Sequence, residues 1–444
     1  MPQPLTKQQI FHTACSLSPF FWVLENKIQL GGAQWALKGH QYQVDMLTDD
    51  FPRQCDIKGA QLGISETHVL KTFHGHIFGR YKTGSLYLFP TRDDVADFSK
   101  SRFTPLIDNN PCISNFVKST DSTNIKKIHD GFLYLRGTRS SSQLKSIPVD
   151  RIVFDERDEM PDDKVDLALE RISHSDVQET IYLSTPTIPD FGIDELYNQK
   201  SDQRVWMIRC KACGKETCLE LEFPSCLMTV AGKYSADGQV INVDDAGRVY
   251  RGCVHCQAEI HPSDGRWEIR EPTRTNDMHG RWISQLNSIF IKPKKILDLF
   301  NDPPHGNITE VYNSKLGMAH IAAENRLTIN QVYAACSADV METSNNGPCC
   351  AGVDVGKVLN VVVGCKPSSG RLKVLKVAEV SSFNDLHDLL RRFNVKSTVI
   401  DMKPEIHKVR DFQKVNRKFG VFACDYQEHQ RGTTSWDEKQ VTGS

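Results

Sequence analysis

The sequence contains no apolar run long enough to cross a membrane and no excess of charge of one sign. A membrane-spanning helix needs about 20 consecutive apolar residues, and no stretch of this chain approaches that length. The N-terminus also lacks the basic region and apolar core of a secretory signal. We therefore expect a cytoplasmic protein with no membrane partner. Because the net charge is −1, any surface that binds nucleic acid must be local.

The length and composition indicate a globular protein of several domains. At 444 residues the chain is too long for a single hydrophobic core, and two to three domains are expected. Hydrophobic residues make up 39% and charged residues 25%, which excludes a disordered or fibrous protein. Four of the 14 cysteines form two C-x-x-C pairs and the others are scattered. In a reducing compartment this pattern favours a metal site and buried thiols over disulfides.

An acidic pair follows a buried strand in the segment 149–160. Ile152, Val153 and Phe154 form a short apolar run of the kind found in parallel sheets, and Asp155 and Glu156 follow at once. At the carboxyl edge of an open α/β sheet, an aspartate can hold the Mg²⁺ of a nucleotide while the next glutamate orients water. The pattern is therefore typical of a Walker B motif. An acidic loop after an ordinary buried strand is the alternative.

Residues 53–65 predict a strand, a glycine turn and the start of a helix, as in a phosphate-binding loop. The P-loop template G-x-x-x-x-G-K-[ST] finds Gly63 and Ser65 in place, but Ile64 occupies the lysine position and Lys58 the first glycine position. Phosphates need backbone N–H groups at a helix N-terminus, one ammonium and a hydroxyl for Mg²⁺. Lys58 could supply that ammonium from the other end of the loop. A strand–helix turn without a ligand is the alternative.

The surrounding pattern is β-α-β alternation with polar residues at successive strand ends. Apolar segments predict strands at 85–90, 131–135 and 178–183 and a helix from 91 to about 106. Ser184 and Thr185 follow the last of these strands, where hydroxyl groups suit a sensor of the phosphate state, although any strand-ending turn could carry them. Residues 1–50 are predicted to be helical. Within them the amide of Gln43 could read an adenine edge, with an ordinary surface glutamine as the alternative.

Two cysteine pairs after the last of these strands predict a zinc ribbon. Cys210 with Cys213 and Cys253 with Cys256 lie about 40 residues apart, and four thiolates complete a closed tetrahedral site. Coincidence and redox thiols are the alternatives. Three further residues of ligand type lie nearby and could replace one ligand: Cys218, Cys226 and His255. The segment 230–250 is predicted to be a hairpin between the two pairs.

The last segment carries aspartates on two predicted strands. Asp354 lies in the first strand of a predicted β-meander, and Asp401 ends the strand that follows the helix 383–393. Two carboxylates on adjacent strands suit a nuclease that uses two Mg²⁺ or Mn²⁺ ions; a binding domain with two strand-end aspartates is the alternative. Residues 349–444 contain 16 Lys and Arg against 11 Asp and Glu. That excess of positive charge suits a DNA backbone.

Together these residues resemble the large terminase subunit of tailed bacteriophages, an ATP-driven motor that packages DNA, and the resemblance is closest to the lambda-like branch. It is carried by the displaced-lysine loop 58–65, by 153–156 and by 184–186. The resemblance implies that Lys58 and Ser65 hold phosphate and Mg²⁺, that Asp155 completes that metal site and that Glu156 activates water. It assigns the remaining ATP-binding and coupling positions to Gln43, Gly59, Ala60, Gln61, Gly63, Ser184 and Thr185.

The family also implies an architecture and a set of partners. The fold class is α/β, with a RecA-like P-loop ATPase domain built on a parallel sheet, an inserted zinc ribbon and an RNase H-like nuclease domain. The predicted divisions are an N-terminal helical segment 1–50, an ATPase domain 51–205, a zinc-ribbon insert 206–270, a linker 271–348 and a partial nuclease domain 349–444. Expected cofactors are ATP, Mg²⁺ or Mn²⁺, and Zn²⁺. Expected partners in the host cytoplasm are double-stranded DNA, a small terminase subunit, a portal protein and further copies in a ring.

One feature departs from the family pattern. Its nucleases use a third acidic residue beyond the second strand–helix unit, for which the candidates Asp425 and Asp437 are poor matches, so we expect a chain that is incomplete at its C-terminus. Two rival functions remain from the sequence. One is a helicase-like ATPase whose last domain only grips DNA, and the other is a non-enzymatic zinc-ribbon protein with a decayed nucleotide site.

Overall fold

A computed structural model describes residues 6–145, 147–229, 248–321, 340–356, 358–366, 370, 372–426, 435–436 and 440–443. The chain divides into two compact units, Met1–Arg326 (unit 1) and Leu327–Ser444 (unit 2). Within the described ranges, no helix combines the length and the apolar character that a membrane crossing requires. The predicted hairpin at 230–250 lies outside these ranges up to residue 247.

Unit 1 alternates helices and strands around one large sheet. Its helices are α1 Lys7–Leu17, α2 Pro19–Glu25, α3 Gln43–Thr48, α4 Ile64–Ile77, α5 Arg92–Phe98, α6 Thr104–Asp108, α7 Pro111–Ser114, α8 Asp162–Leu169, α9 Gly192–Glu195, α10 Pro293–Asn301 and α11 Ile308–Glu310. Its strands are β1 Gln29–Leu30, β2 Ala33–Gln34, β3 Arg53–Lys58, β4 Ser85–Phe89, β5 Val117–Asp121, β6 Ile125–Ile128, β7 Gly131–Gly137, β8 Arg151–Asp155, β9 Glu179–Ser184, β10 Arg204–Arg209, β11 Glu216–Cys218, β12 Leu227–Thr229, β13 Val249–Arg251, β14 Gly265–Ile269 and β15 His279–Ile283.

The main sheet is mixed, which corrects the prediction of a parallel sheet. Its strand order is β11-β10-β15-β3-β9-β8-β4-β7-β6-β5, with β14 paired to β10. The strands from β10 to β7 are parallel, whereas β5, β6, β11 and β14 pair antiparallel at the two edges. The physical reason is clearest between β6 and β7, where only His129 and Asp130 intervene. So short a connection can join only antiparallel neighbours.

The central strands explain why the predicted motifs meet. Every residue of β4, β8 and β9 is buried, because these strands have packed layers on both faces. Their neighbours in the sheet are parallel, so β3, β8 and β9 all end at the same edge. Residues 58, 155 and 184 are the last residues of those three strands. The topology therefore gathers the three sequence motifs at one carboxyl edge.

Two strands that the sequence placed outside the ATPase domain are part of this sheet. β15, which lies in the predicted linker, pairs in parallel with β3 along its whole length. β10 runs across the predicted boundary at residue 205 and pairs with β15. The N-terminal helices also contribute to the same hydrophobic core, since Trp22 and Met46 are buried in it. Strands of five or six residues carry too little periodicity to reveal their partners.

Unit 2 contains a second sheet. Its strands are β16 Cys349–Val355, β17 Leu359–Cys365, β18 Lys373–Val380, β19 Val395–Asp401, β20 Val421–Tyr426, β21 Ser435–Trp436 and β22 Gln440–Gly443, with helices α12 Phe383–Arg392 and α13 Ile406–Val415. The order is β18-β17-β16-β19-β20-β22-β21. β16 to β18 form an antiparallel meander, while β19 pairs in parallel with both β16 and β20. Leu386 and Leu389 of α12 and Val409 of α13 are buried in the core of this unit.

Candidate nucleotide and metal sites

The loop between β3 and α4 has the geometry of a phosphate cradle. β3 ends at Lys58 and α4 begins at Ile64, with Gln61 and Gly63 in left-handed backbone conformations at φ values of 60° and 72°. The N–H groups of the first turn of a helix have no partner inside that helix. They are therefore available to an anion at this helix N-terminus.

The displaced lysine lies among the other predicted ATP-site residues. Lys58 Nζ donates hydrogen bonds to Glu156 Oε1 at 2.7 Å, to Asp155 Oδ1 at 3.1 Å and to Ser65 Oγ at 3.3 Å. Burial alone would lower the pKa of Lys58, but the carboxylates of Asp155 and Glu156 raise it above its ordinary value. The side chain of Lys58 is therefore positively charged and lies at the start of the loop. Residues 97 positions apart in sequence meet here.

Asp155 and Ser65 form an oxygen-rich corner beside Lys58. Ser65 Oγ donates to Asp155 Oδ1 at 3.0 Å, and the Tyr87 hydroxyl at the centre of β4 donates to Asp155 Oδ2 at 3.0 Å. Asp155 is buried. A hydroxyl and a carboxylate are ligand types that Mg²⁺ accepts beside nucleotide phosphates, so these two residues fit that ion. Tyr87 was not predicted from the sequence, because a tyrosine in an apolar strand gives no sign of its partner.

Glu156 joins the phosphate-binding loop to the end of β9. Its backbone adopts a left-handed conformation with φ 64° and ψ 56°, which is uncommon for a non-glycine residue. One carboxylate oxygen accepts from Lys58, and the other accepts from the backbone N–H of Thr185 at 3.2 Å. The glutamate that was predicted to activate water thus contacts the segment that was predicted to sense phosphate.

Asp158, which the sequence analysis missed, organises the segment that follows β9. Its carboxylate accepts from the N–H and hydroxyl of Thr187 at 2.9 and 3.0 Å and from the N–H of Ile193 at 2.7 Å. Its own N–H donates to Ser184 Oγ at 3.2 Å. Burial raises the pKa of Asp158, with these donors opposing the rise. The acidic run 155–159 was the available signal, but nothing in it distinguishes this carboxylate from its neighbours.

Gln43 is hydrogen-bonded to the backbone of the phosphate-binding loop. Its Nε2 donates to the carbonyl of Leu62 at 2.9 Å, and its Oε1 accepts from Trp35 Nε1 at 3.0 Å. A Cβ added at Gly63 would lie 2.7 Å from Gln43 Nε2, so the glycine permits this close approach. Both ends of the amide have protein partners here, and adenine recognition by Gln43 stays a prediction.

A cleft of about 1080 Å³ opens beside this loop. Its lining combines the loop and Lys58 with aromatic side chains from elsewhere in unit 1, Trp35, His40 and Phe290 among them. The rings of His40 and Phe290 lie 5.2 Å apart between centroids. A volume of this size, lined by both polar and apolar side chains, is suited to a nucleotide.

The four predicted zinc ligands converge. Their sulfur atoms all lie within 4.8 Å of one another, with Cys210 Sγ 3.6 Å from Cys256 Sγ and Cys213 Sγ 3.7 Å from Cys253 Sγ. Tetrahedral zinc with Zn–S bonds of about 2.3 Å requires sulfur–sulfur distances of about 3.8 Å, so the donor set fits zinc. The three spare ligands have other contacts: Cys218 donates to Glu220, Cys226 to the carbonyl of Leu219, and His255 lies against the carbonyl of Glu216.

The two predicted nuclease aspartates are neighbours in unit 2. Burial and the adjacent carboxyl of Asp354 raise the pKa of Asp401. Asn360 Nδ2 donates to Asp354 Oδ2 at 3.2 Å. Asp425 is in an ion pair with Lys403 at 3.1 Å, and Asp437 lies outside the described residues. Two carboxylates that repel each other fit a divalent cation, which would relieve that repulsion.

Comparisons with known proteins identify the family. The ATPase domain of the phage terminase large subunit gpA matches residues 43–282. Solved structures that align with this chain include the large terminase of a thermophilic bacteriophage, at 13% identity over 87% of this chain and 80% of that one, with a TM-score of 0.36. The HK97 bacteriophage large terminase aligns at 10% identity over 90% and 84%, with a TM-score of 0.48.

The large terminase of that thermophilic bacteriophage has also been solved in complex with ADP and with ATP-γ-S. No curated protein matches the chain. Family membership therefore rests on the match over 43–282, which covers more than half of the sequence. The resemblance predicted from the displaced-lysine loop, the acidic pair and the strand-end hydroxyls is confirmed by it. This chain belongs to the phage terminase large subunits and carries an ATPase domain of the gpA type.

Proposed function

We propose that unit 1 hydrolyses ATP to drive double-stranded DNA into a procapsid and that unit 2 cuts DNA with a metal-dependent nuclease. The observation that carries the first part is that the ammonium of Lys58 lies within 3.3 Å of side-chain oxygens of Ser65, Asp155 and Glu156. Ser65 also donates to Asp155. These are the four groups that phosphate binding, metal binding and water activation require. Family membership supplies the packaging context.

In this mechanism the protein groups bind and orient the nucleotide. The N–H groups at the start of α4 and the ammonium of Lys58 hold the phosphates, while Ser65 and Asp155 would hold Mg²⁺, which supplies charge neutralisation at the phosphate oxygens. Glu156 accepts a proton from the attacking water as general base. Arrival of phosphate at Lys58 competes with its ion pair to Glu156, which leaves that carboxylate available to water.

The contact between Glu156 and Thr185 supports coupling of hydrolysis to movement. The N–H of Thr185 donates a hydrogen bond to the carboxylate of Glu156. A change in the Glu156 side-chain conformation would therefore move the segment after β9. Ser184 is held to the same acidic segment through the N–H of Asp158. A change at the phosphate therefore reaches 184–187 through two hydrogen bonds, consistent with the proposed coupling roles of Ser184 and Thr185.

The nuclease proposal rests on the paired carboxylates and on the topology of unit 2. β16 and β19, which carry Asp354 and Asp401, are adjacent and parallel in the sheet. The order of the first five strands, an antiparallel meander followed by two parallel strands, is the order expected of an RNase H-like domain. The small terminase subunit, the portal protein and a ring of copies are proposed from the family alone.

Strand separation distinguishes this proposal from a helicase-like ATPase. A packaging motor translocates along intact duplex, so purified protein with ATP should leave a forked duplex paired while DNA stimulates its ATPase. Separated strands would instead support the helicase. A protein that binds DNA but never hydrolyses ATP would support the non-enzymatic zinc-ribbon alternative.

Replacing the displaced lysine tests the nucleotide site. We expect Lys58→Ala to raise the dissociation constant for ATP at least about tenfold, because a charge-assisted contact to phosphate is lost. The measurement is equilibrium titration with a fluorescent ATP analogue. The matched control is Lys82→Ala, since Lys82 is exposed and lies outside the cleft lining. Unchanged affinity in Lys58→Ala would exclude the displaced-lysine assignment.

Metal analysis tests the cysteine cluster. We expect one zinc per chain in purified protein, and we expect Cys253→Ser to lose most of it and to open the cysteine-rich region to proteolysis, because zinc binding contributes folding energy there. Elemental analysis and limited proteolysis are the measurements. Cys350→Ser is the control, since that exposed cysteine belongs to unit 2 and should leave the zinc content unchanged. Folded wild-type protein without zinc would contradict the assignment.

A further inference from the structure

A loop at residues 284–291, here called the wall loop, contributes Phe290 to the lining of the nucleotide cleft. Its Gln285 donates through Nε2 to the carbonyl of Ala60 in the phosphate-binding loop at 2.9 Å. Just before it, the carbonyl of Ile283 accepts from the N–H of Gly59 at 2.9 Å. Near its other end, Phe290 lines the cleft and lies against His40. The position of the wall loop therefore affects two parts of the cleft, which are the backbone of the phosphate-binding loop and the aromatic ring of Phe290.

A buried glutamate holds the start of the wall loop. Glu220 lies two residues after β11, on the side of the first cysteine pair, and is 1% exposed. Its Oε1 accepts from the N–H of Ser284 at 2.9 Å, from the Ser284 hydroxyl at 2.8 Å and from Asn287 Nδ2 at 2.6 Å. A buried carboxylate without such donors would be strongly destabilising, so this geometry is specific.

A buried arginine holds the rest of the wall loop from the second cysteine pair. Arg251 ends β13, two residues before Cys253, and is largely buried. Its guanidinium donates to the carbonyl of Leu286, to that of Ser288 at 2.6 Å and to that of Ile291 at 3.0 Å. Three backbone carbonyls are thus held by two nitrogen atoms of one planar guanidinium, a spread of donors that the single Nζ atom of a lysine lacks.

We propose that Glu220 and Arg251 are positioning residues of the nucleotide site, through which the cysteine-rich region sets the affinity for ATP. Neither side chain lines the cleft; each acts on it through the wall loop. The inference rests on the proposed ATPase function and adds a role for the insert, whose two cysteine pairs flank the two side chains.

The segment that precedes Gln43 is attached to the same region. Trp267 of β14 donates through Nε1 to the carbonyl of Tyr42 at 3.0 Å, immediately before the Gln43 that supports the phosphate-binding loop. Tyr42 in turn donates through its hydroxyl to the carbonyl of Leu62 at 2.9 Å. Residues between and after the cysteine pairs therefore reach the phosphate-binding loop by two routes. One passes through the wall loop to Ala60, and the other passes through Tyr42 to Leu62.

The test compares two substitutions at Glu220. All three donors from the wall loop reach Oε1, so Glu220→Gln can keep every one of these hydrogen bonds, whereas Glu220→Leu loses them and leaves buried donors unpaired. We expect Glu220→Leu to raise the dissociation constant of a fluorescent ATP analogue and the KM for ATP at least about tenfold. Glu220→Gln should stay within about threefold of wild type. The value of kcat should change little in both, because Glu156 is untouched.

The controls separate positioning from general damage. Glu216→Leu removes a partly exposed glutamate of β11, and Arg248→Lys alters an exposed arginine near β13; both form surface ion pairs and should bind ATP normally. Arg251→Lys keeps the charge but cannot reach three carbonyls, so its KM should rise. Zinc content and melting temperature are measured for every variant. If Glu220→Leu does not fold, Ser284→Ala removes one of the same bonds from the other side, and its KM should rise.

Wild-type ATP affinity in folded Glu220→Leu, or in Ser284→Ala if that variant is needed, would overturn the proposal. Equal losses in Glu220→Gln and Glu220→Leu would also overturn it, because they would show that the buried charge and not the bonding geometry matters. Failure of the underlying ATPase assignment looks different, since wild-type protein and Lys58→Ala would then bind ATP equally.

Discussion

Glu156→Gln is expected to bind ATP as wild type does and to hydrolyse it at least about 100-fold more slowly. The amide keeps the shape of the side chain but cannot accept a proton from water. It also has one acceptor oxygen, so it cannot retain the bonds to both Lys58 and the Thr185 N–H that the carboxylate makes. Equilibrium binding and single-turnover hydrolysis measure the two effects separately.

Glu159→Gln is the matched control for this substitution. Glu159 is exposed in the same acidic segment, so neutralising it changes the local charge by the same amount without removing a group in contact with Lys58. Its turnover should remain near that of wild type. Full activity in Glu156→Gln would mean that another group activates water, and a parallel loss in Glu159→Gln would point to charge alone.

The sequence predicts that the proposed nucleotide-site residues lie together, because the parallel strands that carry them end at one edge of the sheet. Once strands ending near 58, 155 and 184 are recognised, the carboxyl edge of the sheet brings their ends together whatever lies between them. The chemistry of Lys58 then follows from its reach across the loop to Ser65. A local pattern and one topological rule were sufficient for these residues.

Contacts between segments without periodic patterns could not be predicted in this way. The bond from the Ala60 N–H to the carbonyl of Ser314, at 2.7 Å, joins the phosphate-binding loop to a segment that the sequence assigned to a linker. The bonds of Glu220 and Arg251 likewise depend on the path of an insertion. Such contacts are fixed by tertiary packing, and outside recognisable motifs a single sequence carries no signal for residues that meet across long separations.

The backbone conformations at the site were equally beyond sequence reasoning. A left-handed conformation is expected at Gly63, where a glycine costs little, but not at Glu156 or Gln61. Each non-glycine residue in this region costs of order 1 kcal/mol or more, which the surrounding contacts must offset. For Glu156 those contacts are the ion pair with Lys58 and the bond from Thr185. The backbone strain at Glu156 is therefore offset by contacts within the proposed site.

Asp354→Ala should abolish DNA cutting by unit 2 while leaving the ATPase of unit 1 unchanged. The carboxyl of Asp354 is close enough to raise the pKa of Asp401, and a divalent cation bound between the two would lose one of its two oxygen donors in this variant. With only these two carboxylates identified at the site, we expect cutting to need high divalent concentration. Mn²⁺ should support it better than Mg²⁺, because Mn²⁺ binds oxygen ligands more tightly and tolerates an incomplete shell.

Plasmid nicking across Mn²⁺ and Mg²⁺ titrations measures this effect, with ATP hydrolysis followed in the same preparations. Asp388→Asn is the matched control, because Asp388 is an exposed carboxylate of α12 whose partner is the neighbouring Arg391. Its nicking should match that of wild type. Vigorous cutting in low Mg²⁺ that survives Asp354→Ala would show that the nuclease centre lies elsewhere. Loss of nicking in Asp354→Ala with normal ATP turnover would instead assign the cutting to the paired aspartates, because the two activities then depend on different units of the chain.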